Sequence, residues 1–238
     1  MGIALGTVSS AIAASSAQST FSWAHAVVAP EDILIGTVAY GTTKSGALAI
    51  TEVRWGTTVG TTFTLRQRIS RGYASSAQLV VEVWTLSDPS TGSTLVHVVF
   101  NNSSHNTPPV GHSLSLMGTT GIGNSSGAHA GAASSFLSSI LLSTPYSWHI
   151  AAWAGLSTAS SEAWVAHAGS TILAQALQSS LSGGIGMRYA GTSGMSTFGS
   201  SRSVAGHIAR ASIEVLARDV LSPGQWRHAH GVGSVTPI

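Results

Sequence analysis

Charge is what this sequence has least of. Asp, Glu, Lys and Arg make up 8% of its 238 residues, about a third of the usual share, so the exterior has to be built mainly from Ser, Thr, Gly and Ala. Such a surface gives a lone molecule little electrostatic protection against association, and it suits a protein covered by copies of itself. Cysteine is absent, which excludes disulfides and thiolate metal sites and leaves packing as the source of stability. No run reaches 18 consecutive apolar residues, so no membrane span is expected. The apolar, small-residue start from Met1 to Ala17 contains Ala11-Ile-Ala13, which has the form of a cleavage site, but it lacks the basic segment of a secretory signal. The expectation is a protein that stays in the cytoplasm until assembly.

The scarcity of charge also narrows the function. The ten basic residues are spread from Lys44 to Arg227, and only Arg66, Arg68 and Arg71 come close together. That pattern predicts no nucleic-acid patch, and the trio reads as the solvated edge of one strand. The eight carboxylates are scattered, with Glu31 and Asp32 the only neighbours. General acid and base work needs two carboxyls held across a cleft in different environments, which argues against a glycosidase.

What is present is β-forming. Apolar residues reach 43%, so the chain is expected to fold rather than remain disordered. Its periodicity is two, in short runs separated by Gly, Ser, Thr, Pro and Asn. In Thr61 to Arg68, Phe63 and Leu65 alternate with Thr62, Thr64, Arg66 and Arg68, which predicts a strand with one face on a core. Ile33 to Tyr40, Leu79 to Leu86 and Leu95 to Phe100 are apolar on both parities and read as central strands. Further strands are expected at 19–28, 50–55, 113–117, 136–142, 148–154, 163–168, 185–190 and 204–215, roughly ten to twelve in all. Turn chemistry at Ala29-Pro30-Glu31-Asp32, Asp88-Pro89-Ser90-Thr91-Gly92 and Ser222-Pro223-Gly224 punctuates them. Segments 134–142 and 171–180 carry a helical alternative, because Ala, Leu and Gln are good helix formers. Two low-complexity tracts, Gly118 to Ser135 and Ser179 to Ser201, read as long loops that are either functional or ordered against a neighbour.

Together these features predict an all-β antiparallel sandwich over residues 1–220, with an arm at 221–238 that embraces an adjacent subunit. Candidate chemistry is sparse. Gly123-Asn-Ser125-Ser-Gly127 matches the nucleophile-elbow spacing but lacks the strand-to-helix context that gives it meaning. His228-Ala-His230 could turn two imidazoles to one side of an extended segment, yet no third ligand is near, so these rings are assigned to a subunit contact. Trp226 in the same arm is the candidate intersubunit anchor. His25, His97, His149 and His207 fall within expected strands as core or interface rings. Trp23, Trp55, Trp84, Trp148, Trp153 and Trp164 read as core fillers, with a sugar-stacking platform as the alternative. No catalytic residue, cofactor or metal is expected.

Several stretches carry a family likeness. Thr20-Phe-Ser-Trp-Ala-His25-Ala-Val-Val followed by Asp32-Ile-Leu-Ile-Gly-Thr-Val resembles the opening strands of a β-sandwich domain recurrent in phage virion and bacterial surface proteins. Ile50-Thr-Glu-Val-Arg-Trp-Gly56 is similar to that family's third strand. Leu79-Val-Val-Glu-Val-Trp84 with Pro89-Ser-Thr-Gly92 is similar to a later strand and turn, and Val204 to Ile213 to its closing strand. The likeness spans most of residues 5–217 and rests on strand-and-turn patterns. It implies a jelly-roll-like sandwich, and together with the low charge, the long small-residue loops and the absence of catalytic signatures it leads to the expectation of a virion structural role, as a capsid decoration or cement protein or a capsid surface subunit. The expected partners are copies of the same chain, in a homotrimer or other closed oligomer, and other virion proteins, at the virion surface. The alternative is a carbohydrate- or receptor-binding module of tail-fibre or adhesin type, extracellular or on a cell surface, that takes a cell-surface glycan.

Overall fold

The computed structural model of the protein describes residues 2–43, 48–56, 59–74, 77–103, 105–156, 163–178 and 180–218. All regular elements there are strands: β1 (Ala4–Ile12), β2 (Thr20–Val27), β3 (Ile33–Thr43), β4 (Ile50–Trp55), β5 (Thr61–Thr62), β6 (Thr64–Ala74), β7 (Ala77–Ser87) and β8 (Gly92–Phe100). The second half adds β9 (His105–Met117), β10 (Thr119–Leu142), β11 (Trp148–Leu156), β12 (Val165–Ala166), β13 (Thr171–Gln178), β14 (Leu181–Tyr189) and β15 (Gly194–Ala217). The expected all-β, antiparallel architecture is the one found. Of the two segments with a helical alternative, 134–142 lies in β10, and residues 171–178 of the other form β13.

The strands form three sheets. A front sheet has the order β2-β8-β4-β5, a central sheet β1-β9-β3-β7-β6, and a back sheet β10-β15-β11-β14-β13 with β12 added to β15. Alternation along β3 and β7 explains why both are apolar throughout. Leu34, Val38, Tyr40, Val80, Trp84 and Leu86 face the front sheet, where they meet Phe21, Trp23, Val53, Trp55, Val96 and Val98. Ile33, Ile35, Ala39, Leu79, Val81 and Val83 face the back sheet and pack on Ile150, Ala152, Ile185, Ala211, Ile213 and Val215. The central sheet is thus covered on both faces, the setting in which continuous Val/Ile/Leu runs are favoured.

A third core comes from a feature that the residue pattern concealed. The tracts Gly118 to Ser135 and Ser179 to Ser201, expected as loops, lie largely in strands, and β10 and β15 form one long antiparallel ladder. Thr119 to Ala130 pair with Ala217 to Ile208, the register then breaks around Ala133, and Ser135 to Leu142 pair with Ser201 to Gly194. Ala132 adopts a left-handed backbone (φ 50°) at the break. The far half of the ribbon folds back over the back sheet, so that Asn124 Nδ2 donates to the Leu141 carbonyl (2.8 Å). Phe136 and Phe198 on the ribbon then pack on Ala151, Trp153, Trp164 and Ile208. Rings of Trp153 and Phe198 occupy the space where side chains at Gly184 and Gly186 of β14 would stand, which is why that strand is glycine-rich.

Three further expectations are corrected. The strand expected over Thr61 to Arg68 is two: the chain leaves the front sheet after β5 and enters the central sheet at β6, and Phe63 at the crossing is buried while Leu65 is 42% exposed. β8 is one-sided, burying Val96, Val98 and Phe100 and leaving Leu95, His97 and Val99 half-covered. The expected ten to twelve strands are fifteen among the described residues, one reason being that the apolar N-terminal stretch supplies β1, an edge strand paired to β9. Arg66, Arg68 and Arg71 do lie together on β6, the other edge of the central sheet, where cations discourage pairing by a second chain. Trp226, His228 and His230, with the whole arm 221–238, lie outside the described residues.

Candidate functional site

The Gly-x-Ser-x-Gly spacing at 123–127, which lacks the context of a nucleophile elbow and falls in a tract expected as a loop, lies in a strand: Ser125 sits within β10, paired with Ile213, with no turn or helix beside it. Buried polar groups are instead used as rivets between layers. His149, fully buried on β11, meets Ser196 Oγ through Nδ1 (3.3 Å) and Ser212 Oγ through Nε2 (2.8 Å), and Ser212 Oγ meets Ser138 Oγ (2.7 Å). Although serine and imidazole are in contact, Ser212 is inaccessible, so this chain of groups joins the ribbon to the back sheet and offers no route to a substrate. Burial, with the Arg188 charge, lowers the His149 pKa to about 4.

Glu214 provides the second rivet. Its carboxylate accepts from Ser143 N (2.6 Å), Ser143 Oγ (2.9 and 3.0 Å), Asn124 N (3.0 Å) and Thr144 N (3.3 Å). Burial pushes this carboxyl up, but the donated hydrogen bonds prevail and hold it below its ordinary range. Glu82 is the contrasting case. It accepts from Tyr40 Oη (2.7 Å) and Trp84 Nε1 (2.9 Å), with Arg68 Nε 3.5 Å away, yet burial holds its carboxyl above the usual range. On the front side, His25 Nδ1 meets Ser9 and Ser113 hydroxyls (3.1 and 2.9 Å), Trp23 Nε1 donates to the same Ser113 oxygen (2.9 Å), and burial lowers the His25 pKa to about 4.

Recesses carry little chemistry. A groove of about 600 Å³ beside β1 and β2 is lined by Ile12, Ala13, Ala14, Ala17, Gln18 and neighbouring residues to Ser22, none of them titratable. A smaller recess of about 100 Å³ contains Asp32, Asp88 and Arg218, but Asp32 is already engaged by Arg218 Nη2 (2.6 Å) and Thr119 N (2.9 Å). No cluster of three or more metal-ligating side chains occurs among the described residues. Trp23, Trp55, Trp84, Trp148, Trp153 and Trp164 are all buried, so none of these six forms a sugar-stacking platform.

The outer face of the folded-back ribbon is different. Phe136, Ser138, Ile140 and Leu142 point inward, which leaves Leu137, Ser139 and Leu141 outward. Leu141 is paired with Met195, Ser139 with Thr197 and Leu137 with Gly199. Leu137, Leu141 and Met195 are 55%, 57% and 69% exposed, and Val165 of the adjoining β12 is 66% exposed. Segments 134–142 and 194–201 contain no charged residue. Tyr146, in the turn after Leu142, and Tyr189, just ahead of Gly194, are also exposed. None of these residues stands out in the sequence. The signal it does hold is the run from Phe136 to Leu142, apolar on both strand parities, which marks a strand covered on two sides. Compared with protein-family models, with curated proteins and with solved structures, the chain matches none.

Proposed function

We propose that this protein is a non-enzymatic structural subunit that self-associates through the outer face of its folded-back ribbon, as a building block of a particle surface such as a capsid decoration or shell layer. The observation that carries the reading is the apolar face of Leu137, Leu141, Val165 and Met195, to which ribbon segments 134–142 and 194–201 bring no charged residue. A second copy is the occupant it fits, because the two ribbon segments bring no formal charge to the face and the Arg188 guanidinium at its edge is turned onto the Thr197 and Ala168 carbonyls, so little like charge is opposed when the face meets itself about a two-fold axis. The wider surface agrees with this, since so few charges are available to keep copies apart. The virion setting and the jelly-roll form rest on the strand-and-turn resemblance and on composition.

Sedimentation velocity tests the association. The wild-type chain is expected to sediment as a closed oligomer. Leu141→Glu and Met195→Glu, both at exposed positions, should sediment as monomers with unchanged circular dichroism. A wild-type protein that stays monomeric at high concentration would refute the proposal. A glycan-binding module is the second reading, favoured by the exposed rings of Tyr146 and Tyr189. Retention on a glycan array that is lost in Tyr146→Ala and Tyr189→Ala would move the assignment to that class.

A further inference from the structure

Among the described residues, the three sheets end in β2 and β5, in β1 and β6, and in β10 and β13. Five of these strands are guarded against pairing with a further strand. β5 has only two residues, while β1, β6, β10 and β13 carry breaks in register, and β6 adds its arginines. β2 has none of these devices. Its eight residues pair with β8 without a shift, and they include no proline, carboxylate, lysine or arginine.

The ladder of β2 shows which backbone groups are left over. Phe100 N donates to the Ser19 carbonyl (2.8 Å), so Ser19, Phe21, Trp23, His25 and Val27 turn their backbone groups to β8, and Thr20, Ser22, Ala24 and Ala26 turn theirs to the open side. This regular row of N–H and C=O groups is a template for one more strand. The groove of about 600 Å³ lies at the Thr20 end of the row and presents no titratable side chain.

Arg218 stands at the other end. Its N donates to the Gly118 carbonyl (2.8 Å) and its Nη2 to Asp32 Oδ1 (2.6 Å), and Asp32 follows Val27 closely, through a turn in which Val28 N donates to Glu31 Oε2 (3.1 Å). Residues 219–238 continue from that point. A chain that starts beside Asp32 and follows the β2 edge runs from Val27 toward Thr20, antiparallel to β2. At about 3.3 Å per extended residue, 219–224 reach about 20 Å, enough to pass from Arg218 to Val27. Residues 225–232 then equal β2 in length and contain no proline. From His228 onward the chain has no charged residue, which suits the uncharged groove.

We infer that residues 225–232 add to the free edge of β2 in the same chain, as the outermost strand of the front sheet, with the uncharged end of the arm laid in the groove. Strand direction and connection length favour the chain's own arm over that of a neighbour. This inference is independent of self-association through the ribbon, which lies at the opposite end of the stack of sheets.

Disulfide scanning of the full chain tests it, because no native cysteine interferes. Ala24→Cys, at an exposed position, is combined with a cysteine at each position of 225–232 in turn, oxidised at low protein concentration and read by peptide mapping. Residues opposed across an antiparallel pair lie within disulfide range, and an added strand turns only one parity toward the Ala24 side. Disulfides within one chain are therefore expected at alternate positions, with little at the positions between. Amide hydrogen exchange supplies a second reading: His228→Pro combined with Ala229→Pro removes an arm donor of each parity and should speed exchange at Ser22 and Ala24 about tenfold, the scale of one lost hydrogen bond, with Phe21 and Trp23 unchanged. Equal yields at every position, disulfides only between chains, no disulfide at all, or exchange at Ser22 and Ala24 that is unaltered by the prolines would overturn the inference.

Discussion

At the scale of single residues, the chain uses its few ionisable groups as internal fasteners, and this makes its stability pH-dependent in a defined direction. His25, His112 and His149 are buried, and burial lowers each pKa from 6.5 to about 4. In the unfolded chain these rings take protons near pH 6.5, whereas in the folded protein they resist until about pH 4. Their contribution is therefore complete above the higher value and lost as pH falls through the interval, at up to about 3 kcal/mol for each ring. Glu214 acts in the same sense at lower pH, because its folded-state carboxyl is held below the ordinary range. Glu82, held above that range by burial, acts oppositely: its contribution is present at acid pH and lost as pH rises through its raised pKa. Urea unfolding from neutral pH to pH 4 should show stability falling steeply on acidification, and a flat profile would contradict the burial of the three rings. Glu214→Ala strands the donors of Asn124, Ser143 and Thr144 and should cost about 3 kcal/mol in the same assay.

At the scale of elements, β3 and β7 are legible in sequence because both covering sheets impose apolar residues on both parities, as in Ile33-Leu34-Ile35 and Val80-Val81. The ribbon is not. Along 119–135 of β10 the side chains are small and most are at least partly exposed, so neither parity carries an apolar signal and the strand is held by its ladder to β15. In β14 the same loss of signal has a different cause, since Gly184 and Gly186 are the floor on which Trp153 and Phe198 lie. Whether a glycine marks a loop or makes room for a ring depends on a residue distant in sequence. Gly184→Ala would drive a methyl group into the Trp153 ring, and Gly186→Ala would do the same to Phe198. Each is expected to destabilise by about 1–3 kcal/mol, measured by chemical denaturation, whereas Gly191→Ala, with open space around it, should be close to neutral. Leu137, Leu141 and Met195 are hidden in the sequence for a related reason: an outward apolar residue is recognisable only once the inward face has been identified.

At the scale of the whole molecule, three apolar cores stack in one direction, between front and central sheets, between central and back sheets, and between back sheet and ribbon. The stack ends in a face that is still apolar, with Leu137, Leu141 and Met195 exposed, the kind of patch that marks interaction sites. In the proposed assembly the next layer is a second copy. Because the chain contains no cysteine, a single Met195→Cys substitution reports on that face without interference. Treated with a short bismaleimide at low protein concentration, this variant should yield covalent dimers in high proportion, while a cysteine at exposed Ser93 of the front sheet should yield few. Equal cross-linking at the two positions, or none at Met195→Cys, would contradict self-association through the ribbon face.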